Sequence, residues 1–88
     1  MPHRVKRWVL HLGRKPIPRP SFLDTCVYLG YIYGERRWRN IEDDVIYTWD
    51  SLHGELEGFT MRGHHIGAMD ALTGKLIKPA RKGRRIRV

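Results

Sequence analysis

The sequence predicts an α+β fold that is mostly β: an antiparallel sheet of about five to six strands with a short N-terminal helix. Three observations lead there. From Glu35 onward, short runs rich in β-branched and aromatic residues are separated by Asn, Asp and Gly clusters. No helical periodicity runs through the second half. Ser21 follows a proline and has Asp24 three residues on, the pattern of a helix start. Eighty-eight residues leave room for one hydrophobic core, so residues 1–88 form a single domain.

The elements follow in order. Residues 1–20 make a basic arm containing Lys15-Pro16-Ile17-Pro18-Arg19-Pro20, where alternate prolines hold the backbone extended and block regular pairing. Val5 to Leu12 is a candidate edge strand. The helix start at Ser21 gives way to the β-prone run Val27 to Tyr33. Arg36 to Arg39 and Val45 to Trp49 are strands around the polar turn Asn40 to Asp44. His53 to Thr60 and His64 to Asp70 are two more, and Ala71 to Gly74 turns into a short strand at Lys75 to Ile77. The tail Pro79 to Val88 carries five basic residues, with Ile86 and Val88 as edge contacts. No internal repeat stands out.

Seventeen Lys and Arg against nine Asp and Glu give a net charge of +8 and an isoelectric point near 10.3. Such an excess favours polyanions, because each phosphate neutralised releases counterions from the nucleic acid. A solubility device or a membrane-surface contact is the plainer alternative. Cys26 is the single cysteine, so no internal disulfide exists, and a small, half-buried core residue is its expected role. The longest apolar stretch, Trp8 to Leu12 with His11 counted, is too short for a signal-peptide core or a membrane span. A cytoplasmic site of action, in the producing or a target cell, is therefore expected.

The chemistry-bearing residues lie between Asp50 and Glu57. Side chains at alternate positions of a strand share a face, so His53, Glu55 and Glu57 are expected to project together. Asp50 has the wrong parity and reaches His53 only if Ser51-Leu52 bend. RNA cleavage by the ribose 2′-OH needs a base, positive charge on the phosphorane oxygens and help for the departing 5′ oxygen. Glu57 or Glu55 as base, His53 as acid or cationic stabiliser and a tail arginine as phosphate clamp supply these needs. Surface decoration and a structural charge network are the competing readings.

The run Ile46-Tyr47-Thr48-Trp49-Asp50-Ser51-Leu52-His53-Gly54-Glu55-Leu56-Glu57-Gly58-Phe59 resembles the signature of the cytotoxic ribonuclease domain of the ribosome-inactivating E-group colicins and cloacin. There the run reads I-Y-E-W-D-S-Q-H-G-E-L-E-G-Y. The likeness continues through His65-Ile66-Gly67, Asp70 and Thr73-Gly74-Lys75 to a tail with Arg84-Arg85-Ile86, and so covers a family-like catalytic half, residues 45–88. The resemblance implies a strongly twisted antiparallel sheet carrying a short helix. It also implies cleavage of small-subunit (16S) ribosomal RNA at the decoding site, which stops translation. The catalytic residues it implies are Asp50, His53, Glu57 and Arg84, with Arg85 as the rival of Arg84. Glu55 and Tyr47 become cleft residues and Lys78 an RNA contact. Phe59 stands where the family has Tyr, keeping stacking and losing the hydroxyl. The implied partners are the small ribosomal subunit and an acidic immunity protein or antitoxin drawn by charge to the basic surface. A toxin acting inside cells and a piece of a larger effector are the two contexts expected.

Two other readings compete. A noncatalytic RNA- or ribosome-binding module would use the basic charge with Trp38, Trp49 and the tyrosines. A metal-dependent nuclease would use His53, His64 and His65 with the carboxylates. Their spacing matches no ligand motif, so a metal-independent reaction without a cofactor is expected.

Overall fold

The computed structural model describes residues 13–88. Six strands form one antiparallel sheet: β1 (Val27–Ile32), β2 (Glu35–Asn40), β3 (Val45–Asp50), β4 (Glu55–Phe59), β5 (His65–Asp70) and β6 (Leu76–Pro79). They lie side by side in sequence order, so every connection is a hairpin. The candidate strand at Val5 to Leu12 lies outside the described residues.

The expected N-terminal helix is a single 3-10 turn, Phe22–Thr25. Its start follows the sequence pattern: Leu23 N–H donates to Ser21 Oγ, and Ser21 N–H donates to the Asp24 carboxylate. The turn does not propagate because Cys26 is already extended. Val27 and Tyr28 then pair with Arg39 and Trp38 of β2, where β-branched and aromatic side chains fit the pleated surface. Strand ends move as well. The strand expected from His53 shortens to β4 because Gly54 takes a φ of 69°, a region open chiefly to glycine. His53 therefore sits in the β3–β4 turn, and only Glu55 and Glu57 share a face by alternation.

Register divides the sheet into two faces. Trp38, Tyr47 and Gly58 stand opposite one another, as do Trp49, Leu56 and Met69. These side chains, Gly58 apart, gather with Leu23 into the hydrophobic core, flanked by Ile17, Phe22 and Cys26. The Phe22 ring meets Tyr47 edge-on, with centroids 5.6 Å apart. Gly58 gives the end of the Met69 side chain its place, since a Cβ would lie 2.7 Å from Met69 Cε and displace it. The opposite face carries the row Thr48, Glu57, Ala68, Lys78. Core and polar row thus share one thin sheet.

Leu56 is fully buried at the centre of the core face. Leu56→Ala is expected to lower stability by about 2–5 kcal/mol, the range for a buried leucine that leaves a cavity; urea denaturation measures it.

Candidate active site

The turn between β3 and β4 is organised by one carboxylate. Asp50 Oδ1 accepts from the backbone N–H groups of Leu52 and His53, and Gly54 N–H donates to the Asp50 carbonyl at 2.8 Å. Asp50 Oδ2 lies 2.7 Å from His53 Nδ1. The imidazole is thereby oriented, with Nε2 turned away from Asp50 and the ring more than half exposed. Burial pushes the Asp50 carboxyl up, but the hydrogen bonds from the His53 ring and from the His53 and Leu52 amides together outweigh it. The net result is a carboxyl held below its ordinary 3.8.

Glu57 faces the same cleft from β4 and is 7% exposed. Its Oε1 accepts from Arg84 Nη1 at 3.1 Å and its Oε2 pairs with His65 Nε2 at 2.7 Å. His65 Nδ1 in turn accepts from Arg81 N–H at 2.9 Å, which places the facing proton on Nε2. A buried carboxylate is stable only when paired in this way. The arginine comes from the C-terminal tail, whose backbone is pinned by His65 N–H on the Arg84 carbonyl and Ile86 N–H on the Gly63 carbonyl.

Two β-bulges aim the side chains that alternation would have sent elsewhere. Gly58 pairs with Gly67, but Phe59 pairs with His65, skipping Ile66. Without that extra residue His65 would share the face of Gly67 and Gly58, on the core side. Likewise Ala68 pairs with Lys78 while Met69 pairs with Leu76. Lys78 thus joins the polar row and Leu76 does not. Bulges beside active sites commonly re-aim a side chain.

Asp50, His53, Glu55, Glu57, His65, Ala68, Lys78, Pro79, Arg81 and Arg84 line a cleft of about 110 Å³. Of the residues predicted from sequence, it gathers Asp50, His53, Glu55, Glu57, Lys78 and Arg84. Glu55 is held by Lys78 Nζ at 2.8 Å. Arg85 is an exposed residue bridging His64 through its backbone, so Arg84 is the arginine turned inward. Phe59 is 1% exposed and forms the floor. It packs on His65 and lies under the Arg84 guanidinium, leaving no face for a base to stack on. Tyr47 is not in the cleft. It lies on the other face, 3% exposed, and burial first, then Cys26 and Asp43, push its phenol up. Cys26 is half-buried and its thiol is also pushed up, by burial against a smaller lowering from Thr25; it is a packing residue. From sequence, His65 figures only among the ligands of the competing metal-dependent nuclease and Arg81 only as a tail cation, because the bulge that turns His65 inward leaves no mark in residue spacing.

Asp50, His53 and Glu55 are also close enough to share a cation, their ligand atoms lying within 4.8 Å. His53 Nδ1 is occupied by Asp50 and one oxygen of Glu55 by the Lys78 ammonium, so positive charge already stands among these groups.

The cleft thus combines a paired carboxylate, an oriented imidazole and tail cations on one small antiparallel sheet. Residues 30–87 match the family model described as Cytotoxic, and the chain belongs to that family. It is similar to cloacin of Escherichia coli, 51% identical over 43 residues, which are 48% of this chain and 8% of that protein. It is also similar to colicin E3 of Escherichia coli, 46% identical over 44 residues, 49% of this chain and 8% of the relative. Colicin-E6 of the same organism is 44% identical over 43 residues, again 48% and 8%. The matched stretch is thus a small part of each relative.

Because the folded carboxyl of Asp50 is depressed, the stability it contributes is present above its ordinary value and is lost as pH falls through the folded value. Asp50→Asn is therefore expected to lower the melting temperature at neutral pH, with the gap to wild type closing as pH drops below 3.8. Thermal melts from pH 7 to 2 measure it; a gap that persists unchanged in acid contradicts the assignment.

Proposed function

We propose that this chain is a metal-independent ribonuclease toxin module that cuts small-subunit (16S) ribosomal RNA at the decoding site. The observation that carries the reading is Glu57, a nearly buried carboxylate held between Arg84 and His65 in the cleft that His53 enters. Membership of the Cytotoxic family supports it.

The chemistry follows from the positions. The ribose 2′-OH attacks the adjacent phosphorus as Glu57 takes its proton; a carboxylate keeps spare lone pairs while accepting from two donors. Arg84 binds Glu57 through one nitrogen, and its partly exposed guanidinium has further N–H groups for the phosphorane oxygens. Lys78 and Arg81 add positive charge along the wall. His53, steadied by Asp50, gives its Nε2 proton to the departing 5′ oxygen. The products are a 2′,3′-cyclic phosphate and a 5′-hydroxyl end. Protein cations neutralise the phosphorane, which is the basis for expecting no metal requirement. The small ribosomal subunit is the partner in action. An acidic immunity protein or antitoxin, steered by the net charge of +8, is the partner in restraint.

The purified protein, added with EDTA to intact bacterial ribosomes, is expected to produce one new 5′-hydroxyl end near the 3′ terminus of the small-subunit RNA. His53→Ala and Glu57→Gln should each slow the cut by about 10²–10⁴-fold, the usual contribution of a general acid or base. Ribosome binding without any cut would instead identify a noncatalytic basic module, and loss of the cut in EDTA would identify a metal enzyme.

A further inference from the structure

The two turns that flank β4 and β5 are built alike. Asp50-Ser51-Leu52-His53-Gly54 and Asp70-Ala71-Leu72-Thr73-Gly74 share the pattern D-x-L-x-G. In each, the aspartate Oδ1 accepts from the next-but-one and third backbone amides, and the glycine N–H returns to the aspartate carbonyl. Both glycines have positive φ, 69° and 73°. Where His53 meets Asp50, the Thr73 hydroxyl meets Asp70.

The proline-rich arm fastens to both turns at equivalent atoms. Lys15 N–H donates to the Ser51 carbonyl at 2.7 Å, and Phe22 N–H donates to the Ala71 carbonyl at 2.8 Å. Each anchor lays its side chain over the glycine of its turn. A Cβ on Gly54 would lie 2.8 Å from Lys15 Cδ, and one on Gly74 would lie 2.5 Å from Phe22 Cδ1. At the first turn two more bonds are added: Trp49 Nε1–H donates to the Lys15 carbonyl at 2.9 Å and Arg14 to Ser51 Oγ at 3.0 Å. Between the anchors, Pro16, Pro18 and Pro20 fix φ and carry no N–H, and Ile17 packs on the core. The span is therefore stiff.

We propose that this arm is a strap that positions the catalytic turn, with Lys15 and Trp49 as positioning residues that hold His53 at its working distance from Glu57. The inference rests on the ribonuclease reading. The strap touches the residues on both sides of Asp50 and the glycine after His53, so its release lets the imidazole drift while Asp50 still binds it. Small misplacements of a reacting group cost rate far more than affinity.

The test is Trp49→Phe, which removes one donor, keeps an aromatic ring in the core and leaves the charge unchanged. On ribosomes kcat is expected to fall about tenfold or more, with KM and its salt dependence within about twofold of wild type. Amide exchange gives a readout independent of activity: Leu52, His53 and Gly54 should exchange faster, while Leu72, Thr73 and Gly74 of the twin turn stay protected. Lys15→Pro, which deletes the N–H given to Ser51, should act in the same direction if Trp49→Phe folds poorly. Lys15→Met keeps the backbone donor and the aliphatic stem and removes only the charge, so it reads whether that charge contacts RNA. A wild type that cuts ribosomal RNA beside a Trp49→Phe protein that cuts equally fast, or whose first turn exchanges no faster, overturns the strap. So does a Lys15→Met protein with raised KM and a weakened salt dependence, which would make the arm an RNA contact. A wild type that cuts nothing, beside a Trp49→Phe protein whose first turn alone loses its protection from exchange, fails the ribonuclease reading and leaves the strap's hold on the turn standing.

Discussion

A carboxylate placed inside a protein must be paired, and the rest of this cleft is arranged around meeting that condition for Glu57. The row Thr48, Glu57, Ala68, Lys78 puts it in the middle of the sheet, where water cannot solvate it. Two partners of different kinds answer. Arg84 arrives from a tail with no regular strand of its own, and His65 arrives through a bulge. Phe59 closes the floor beneath both, which raises the strength of each electrostatic contact by excluding solvent. The same pairing makes the burial tolerable and fixes the carboxylate in the wall of the cleft. Structural stability and chemical poise are satisfied by one set of contacts.

Asp50 shows a different economy. Its bonds to the Leu52 and His53 amides recur at Asp70, where the side-chain partner is a threonine, and the Asp70 carboxyl is likewise held below its ordinary value, by the Thr73 and Leu72 amides. The aspartate is thus a turn-builder in both places. The two turns differ at Ser51 and Ala71 and at His53 and Thr73, and the second difference converts a turn-stabilising bond into the orientation of a titratable ring. The candidate site is built on a local structure that the fold uses anyway.

Much of this was legible in the sequence, and what was not has definite physical causes. The strand runs, the reciprocal cap at Ser21 and Asp24 and the bend at Ser51-Leu52 follow from local chemistry, and local chemistry decides them. Asp50, His53, Glu57 and Arg84 do converge. The helix fails to extend because pairing of Val27 and Tyr28 with β2 outcompetes a fifth and sixth helical residue. Tyr47 was placed in the cleft by resemblance, yet the register sets it opposite Gly58 and Thr48 opposite Glu57, which sends the phenol to the core. Phe59, a stacking surface by resemblance, is a floor because it is buried. The pairing of His65 with Glu57 is not legible in the sequence because one skipped residue reverses its face, and a skip is a property of pairing. The twin turns were overlooked as a repeat because five residues with two variable positions carry little weight until their hydrogen bonds are seen to coincide.

The sheet is a plain meander, and this has a consequence for how the molecule comes into being. Every strand pairs with its neighbour in the chain, so the sheet can close by successive short loops, each with a small entropic cost. The contacts that complete the cleft are of another kind: Arg84 meets Glu57 across 27 residues and Trp49 meets Lys15 across 34. Non-local closures of that sort form once the local scaffold exists to receive them. A partly assembled chain would then possess the sheet, and even the Asp50 turn, while lacking the arginine and the strap. Completion of the cleft is in this sense a late property of folding, acquired after the architecture is already recognisable.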